Sequence, residues 1–140
     1  MTDADIYRQF TWPVRVYWED TDAGGVVYHT GYLRFMERAR SEWLRAVGVE
    51  QAKLREQHDL VFVLRSAAID FRRAARLDDL LDVRCTVAER KRASLSFRQE
   101  ICDSAGVLVS GIVRVACVSA SGFRPQVIPD GLLPLICISE

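Results

Sequence analysis

The feature that most narrows the folds open to this chain is a change of hydrophobic period at Gly31. From there Tyr32, Phe35, Met36, Ala39, Trp43 and Val47 recur at three- and four-residue spacing, with Arg34, Glu37, Arg38, Arg40, Glu42 and Arg45 between them. The pattern predicts an amphipathic helix of about four turns, ending near Gly48, where glycine can adopt the left-handed conformation that closes helices. Its apolar face is built from bulky aromatic groups, so it must lie on something broad and flat, most simply a sheet.

The rest of the chain supplies one. Phe10 to Trp18 alternates loosely around Pro13 and reads as a first strand. Residues 20–30 are then loop, and a short helical stretch at about 49–58 follows the long helix. Four further segments have strand character, at roughly 61–73, 80–91, 93–103 and 106–119. In the third, Leu95, Phe97 and Ile101 alternate with Ser94, Ser96, Arg98 and Glu100. Asp103-Ser104-Ala105-Gly106 has the residues of a tight hairpin turn, and consecutive strands with short links imply antiparallel pairing. A tail punctuated by Pro125, Pro129 and Pro134 closes the chain. The expected class is α+β: one long helix in the curve of a five- to six-stranded antiparallel sheet, with residues 1–140 as a single domain.

Composition removes several function classes. Lys+Arg and Asp+Glu both total 19, so no global field draws the protein to nucleic acid or to anionic membrane. No apolar run approaches the ~20 residues of a membrane-spanning helix, and MTDADIYRQF carries two aspartates where a secretory signal would be apolar. Cys85, Cys102, Cys117 and Cys137 are scattered, with no CxxC pair, and read as reduced structural thiols in a cytoplasmic protein. Neither a GxGxxG nor a P-loop is present. Ser94 and Ser96 lack a nucleophile elbow, and His29 and His58 alone make no metal-ligand cluster.

Chemistry concentrates in EDTDAGGVVYH, Glu19 to His29, between the first strand and the long helix. Asp22 precedes a glycine pair on a loop, where a scaffold commonly displays a reactive group. As a carboxylate it could attack a carbonyl or take a proton from water, and it could equally be a turn residue. The helix beyond it presents N–H groups without internal acceptors, suited to receiving an oxygen that becomes anionic. Gly24, Gly25 and Gly31 leave room for a ligand to approach the backbone. His29 could act as a base, a donor to a carbonyl, or a helix-entry residue. Glu19 and Asp20 read as strand-end charges, solvated or paired with nearby arginines. All but two of the 19 basic residues are arginine, the better side chain for forked contacts to phosphate.

The segment RVYWEDTDAGGVVYHTGYLRFMERARSEWLR, Arg15 to Arg45, resembles the signature of the 4-hydroxybenzoyl-CoA-type hotdog thioesterases, and in particular their tol–pal-associated acyl-CoA thioesterase branch. FVLRSAAIDFRRAARLDDLLDV, Phe62 to Val83, is similar to the branch's next strand and turn. The resemblance covers about residues 11–120 and implies the hotdog fold and hydrolysis of acyl-CoA thioesters, with no metal or organic cofactor. By position, Asp22 matches the family's catalytic aspartate, and His29 matches the residue whose backbone N–H faces the thioester oxygen. Its ring matches the branch's site histidine. Two positions depart from the pattern: Trp18 stands where the branch commonly has tyrosine, and Gly31 where it has asparagine or serine. The family also implies a homodimer or homotetramer. Candidate partners for the CoA phosphates are Arg65, Arg72, Arg73, Arg76 and Arg92. Two other readings of the fold are a dehydratase using a histidine with Glu37, although such enzymes lack the D-T-D-x-G loop, and a module binding acyl-CoA or acyl-carrier protein without hydrolysis.

Overall fold

The computed structural model describes residues 9–131; Cys137, Pro134 and the first eight residues lie outside them. The elements follow in the order β1 (Gln9–Arg15), a 3₁₀ turn (Trp18–Asp20), α1 (His29–Ala46), α2 (Gln51–His58), β2 (Leu60–Phe71), β3 (Leu80–Lys91), β4 (Ser94–Asp103) and β5 (Gly106–Ser119). All strand pairings are antiparallel, in the order β1-β3-β4-β5-β2, so β1 and β2 are the edges. Pro13 is tolerated inside β1 because an edge strand has a side that donates no ladder bond.

The helix periodicity is the core. Tyr32, Phe35, Met36, Ala39 and Trp43 are buried, and they meet Val83 and Cys85 of β3 with Leu95, Phe97 and Ile101 of β4 in one cluster. Trp43 lies parallel to Phe10 of β1 at 6.2 Å and edge-on to Phe97 at 6.0 Å, spacings at which aromatic pairs are attractive beyond the area they bury. Val47 caps the helix, and Gly48 follows with φ 93°.

The β4–β5 hairpin turns as its residues require: Asp103 accepts the Ala105 N–H at 2.9 Å, and Gly106 has φ 129°. Beyond β5 the chain folds back, Val118 pairing with Pro125 and Ile128 becoming buried.

One buried polar group crosses the core. Gln99 is fully enclosed, and its Nε2 donates to the Met36 carbonyl at 2.9 Å and to Cys85 Sγ at 3.0 Å, while its Oε1 accepts from Arg40 at 2.9 Å. Every hydrogen-bonding atom of that amide group has a partner, which is the condition for tolerating it inside. Burial pushes the Cys85 thiol up to about 12, against the smaller opposing effect of the Gln99 hydrogen bond. Cys85, Cys102 and Cys117 are all free and buried.

Two boundaries differ from expectation. The first strand ends at Arg15 and does not reach Trp18, because the Asp20 carboxylate takes the Tyr17 N–H at 2.8 Å and curls the chain into the 3₁₀ turn. Helix α1 starts at His29, two residues before Gly31, so the glycine lies inside its first turn.

Candidate active site

The site is assembled by the chain that joins β1 to α1. Asp20 holds both ends of this connection: its Oδ2 accepts the Tyr17 N–H at 2.8 Å, and its carbonyl accepts the Tyr28 N–H at 2.9 Å. Arg34 of α1 stands 4.0 Å from Asp20 Oδ1. Asp20 is only 3% exposed, so of its two expected settings solvation is corrected, while the pairing with a nearby arginine is present as the 4.0 Å contact to Arg34. A short side chain that bonds local backbone can be drawn inside, which charge counting does not reveal. Glu19 stays exposed.

Between these anchors lies a small hairpin. Thr21 bridges Val27, the Asp22 N–H donates to the Val26 carbonyl at 2.9 Å, and Gly25 turns the chain with φ 80°. Val26 in turn bridges Arg76, and the Val27 N–H donates to the Ala75 carbonyl at 2.9 Å. The loop is thus tied to the segment that follows β2.

Asp22 is exposed at this hairpin's turn, and its Oδ1 accepts the Gly24 N–H at 2.8 Å, with the Val26 N–H more distant at 3.5 Å. Both contacts fall on one oxygen, so Oδ2 has no hydrogen bond among the described residues. A cradle that fixes one carboxylate oxygen aims the other.

At the start of α1 the Tyr28 N–H is taken by Asp20 and the Gly31 N–H by the Tyr28 carbonyl at 2.7 Å. The N–H groups of His29 and Thr30 therefore have no acceptor among the described residues, at the positive end of an 18-residue helix. The His29 ring is exposed and lies 4.2 Å from the Tyr28 ring.

Asp22, Tyr28, His29 and Tyr32 share an open groove of about 400 Å³ with Phe71 and Arg72. The two residues expected to carry chemistry are thus brought together. Phe71 and Tyr32, 5.8 Å apart, give it an apolar wall. No spacing in the sequence marks Phe71 or Tyr28 as neighbours of Asp22.

Of the candidate arginines, Arg72 and Arg73 border the groove and Arg65, Arg76 and Arg92 do not. Glu37 lines a separate cavity of about 140 Å³ with Arg40 and Phe62, away from Asp22 and His29. The pairing of a histidine with Glu37 that a dehydratase needs is absent from the groove. Ser94 and Ser96 are buried strand residues. Trp18 is 77% exposed and does not border the groove.

A long helix lying on a five-stranded antiparallel sheet, with a carboxylate hairpin at the helix entrance, defines a hotdog-fold protein of the thioesterase type. The chain belongs to the thioesterase-like superfamily, whose model matches residues 16–135. It is 48% identical over 120 residues to the acyl-CoA thioesterase YbgC of Haemophilus influenzae, covering 86% of this chain and 88% of that one. To the acyl-CoA thioester hydrolase YbgC of Escherichia coli O6:H1 it is 40% identical over 125 residues, covering 89% and 92%. Among solved structures, a probable thioesterase from Bartonella henselae superposes with a TM-score of 0.82 at 35% identity, covering 86% of this chain and 99% of that one.

Proposed function

We propose that this protein is an acyl-CoA thioesterase, hydrolysing the thioester to a free carboxylic acid and CoA, with Asp22 and His29 at the reacting centre. The observation that carries the reading is the meeting, in one groove, of a carboxylate with one uncommitted oxygen and a helix start with uncommitted N–H groups. The names of the relatives at 40% and 48% identity support the same activity.

In this mechanism Asp22 Oδ2 meets the thioester carbonyl carbon as a nucleophile, or draws a proton from a water that does so. The carbonyl oxygen becomes anionic and is received by the backbone N–H groups of His29 and Thr30, an arrangement in which one lost donor typically costs ~10²–10³ in rate. Collapse expels the CoA thiolate, which takes up a proton. In the nucleophilic route water then cleaves the aspartyl anhydride and restores the carboxylate. To the exposed His29 ring, which lines the same groove as Asp22, we assign a hydrogen bond to a substrate carbonyl. The residues invoked need no metal or organic cofactor.

We take the chain as one domain that works as a homodimer or larger assembly in the cytoplasm. Helix α1 leaves the inner face of edge strand β2 open, so that Leu64 is 55% and Phe71 52% exposed. A twelve-residue edge with an apolar face invites a second copy. Sedimentation should give a mass of at least two chains, and a monomer at working concentration would refute the assembly. The buried free thiols favour a reducing compartment, and among the described residues no helix is long and apolar enough to cross a membrane. Acyl-carrier protein is a second candidate carrier of the acyl group, tested by thiol release from an acyl-carrier-protein thioester.

The decisive experiment is thiol release from acyl-CoAs of short, long and aromatic acyl groups, with wild type beside Asp22→Asn. Asparagine keeps an oxygen for the Gly24 N–H and removes the charge. Loss of ~10²-fold or more in kcat/KM with the fold intact supports the assignment. Acyl-CoA binding without thiol release in the wild type would turn the reading to a binding module.

A further inference from the structure

Among the described residues Asp20 is the only carboxylate that the fold buries. A buried anion is costly unless a cation or enough hydrogen-bond donors answer it. Its Oδ2 has one donor, the Tyr17 N–H at 2.8 Å. Its Oδ1 has no hydrogen bond among the described residues and faces Arg34 Nη2 at 4.0 Å. At that distance the two meet as charges and do not share a hydrogen bond. The other ion pairs are of a different kind. Arg73 forks onto Asp103 at 2.9 and 3.2 Å, yet neither group is buried, so water can replace either partner.

The helix brings Arg34 to this place. Arg34 belongs to the second turn of α1, and helical side chains lean toward the N-terminus. Its guanidinium therefore lies over the first turn. A Cβ on Gly31 would stand 3.7 Å both from Arg34 Nη2 and from the Asp20 carbonyl oxygen. The cation and the Asp20 joint thus lie on one side of the helix, with no side chain at Gly31 to part them. A cation over the positive end of a helix is disfavoured by itself, so the anion is what makes this placement favourable.

What Asp20 holds gives the contact its consequence. Its carboxylate fixes Tyr17 and its carbonyl accepts the Tyr28 N–H at 2.9 Å. Asp20 is two residues from Asp22, and Tyr28 adjoins His29. The joint therefore sets the attacking carboxylate against the N–H groups at the helix start. Without its cation, the carboxylate would regain solvation by turning outward, and the joint would open with it.

We propose that Arg34 is a positioning residue: its charge holds the Asp20 carboxylate in its buried place, and through Asp20 it keeps Asp22 and the start of α1 in register. This rests on the thioesterase reading of the Asp22 groove. Arg34 does not border that groove and takes no part in breaking the thioester bond.

The test measures thiol release and backbone amide exchange on the full chain in wild type, Arg34→Lys and Arg34→Gln, and repeats Arg34→Gln in an Asp20→Asn background. In Arg34→Gln, kcat for an acyl-CoA should fall about tenfold with KM within about twofold. Lysine keeps the charge and should recover most of that loss. In the Asp20→Asn background there is no charge to bury, and adding Arg34→Gln should cost less than about twofold. The Tyr28 N–H should exchange about tenfold faster in Arg34→Gln, with the amides of β4 unchanged. An unchanged kcat, an equal loss with lysine and glutamine, or an undiminished cost in the Asp20→Asn background would overturn the proposal. So would a fall in kcat without faster exchange at Tyr28. If Asp20→Asn does not fold, the comparison of lysine with glutamine decides. If wild type releases no thiol, the thioesterase reading fails separately and exchange at Tyr28 decides. Faster exchange with glutamine than with lysine then upholds the hold on Asp20, and equal rates overturn it.

Discussion

The hydroxyl of Tyr32 accepts the backbone N–H of Ala75 at 3.0 Å, tying the first turns of α1 to the segment that follows β2. Both residues are buried, and the neighbouring Ala75 carbonyl receives the Val27 N–H at 2.9 Å. One short stretch of backbone therefore locates both the helix start and the hairpin that carries Asp22. Replacing Tyr32 with phenylalanine keeps the ring and leaves the Ala75 N–H buried without an acceptor. That should cost about 1–3 kcal/mol, read as a lower denaturant midpoint with an unchanged slope. An unchanged midpoint would mean that water replaces the hydroxyl.

Gly31 departs from the asparagine or serine common in the family, and packing supplies a reason. A Cβ there would lie 2.9 Å from Val27 Cγ1, a stiff and buried side chain. Gly31→Ser should be destabilising, because overpacking of about 1–3 kcal/mol exceeds the roughly 0.5–1 kcal/mol gained by removing glycine from a helix. In a Val27→Ala background the same serine should be neutral or stabilising. A double-mutant cycle measures the coupling, and additivity of the two changes would refute the steric account.

The Arg73–Asp103 fork predicts a pH dependence with a definite sign. The Arg73 hydrogen bond, helped by the Ala105 N–H, holds the Asp103 carboxyl below its ordinary range. A group depressed in the folded state stabilises above its unfolded pKa, and that contribution is lost as pH falls through the folded value. Wild type should therefore exceed Arg73→Gln in stability at pH 7, with the gap closing as the solution is acidified through the carboxylate range. Denaturation midpoints against pH test this. A gap that stays constant into strong acid would place Arg73's effect in packing.

The Arg15 to Arg45 segment is where sequence and structure agree most closely and also where they part. The repeat from Tyr32 to Trp43 fixed the buried face of α1, because a helix with one apolar stripe has few ways to hide it. Alternation over Leu95 to Ile101 likewise identified β4, and Asp103 with Gly106 identified its turn. The loop, its glycines and the family signature single out Asp22, and the structure sets it in one groove with His29. These are local signals, carried by residues close together in the chain.

The tertiary structure alone decided what depends on distant partners. Periodicity does not give the strand order β1-β3-β4-β5-β2, since strand pairing is chosen by surfaces as wholes. Asp20 was legible as an acid but not as the buried group that holds Tyr17 and Tyr28, because its burial depends on how two backbone segments converge. Gln99 looked like a polar strand residue until the chain enclosed it between Met36, Arg40 and Cys85. Phe71 and Arg72 follow Asp22 by about fifty residues and meet it only because the end of β2 is drawn against the helix start. A sequence records which residues can hide and which can react; their encounter is set by the free energy of packing the whole chain, to which every distant contact contributes.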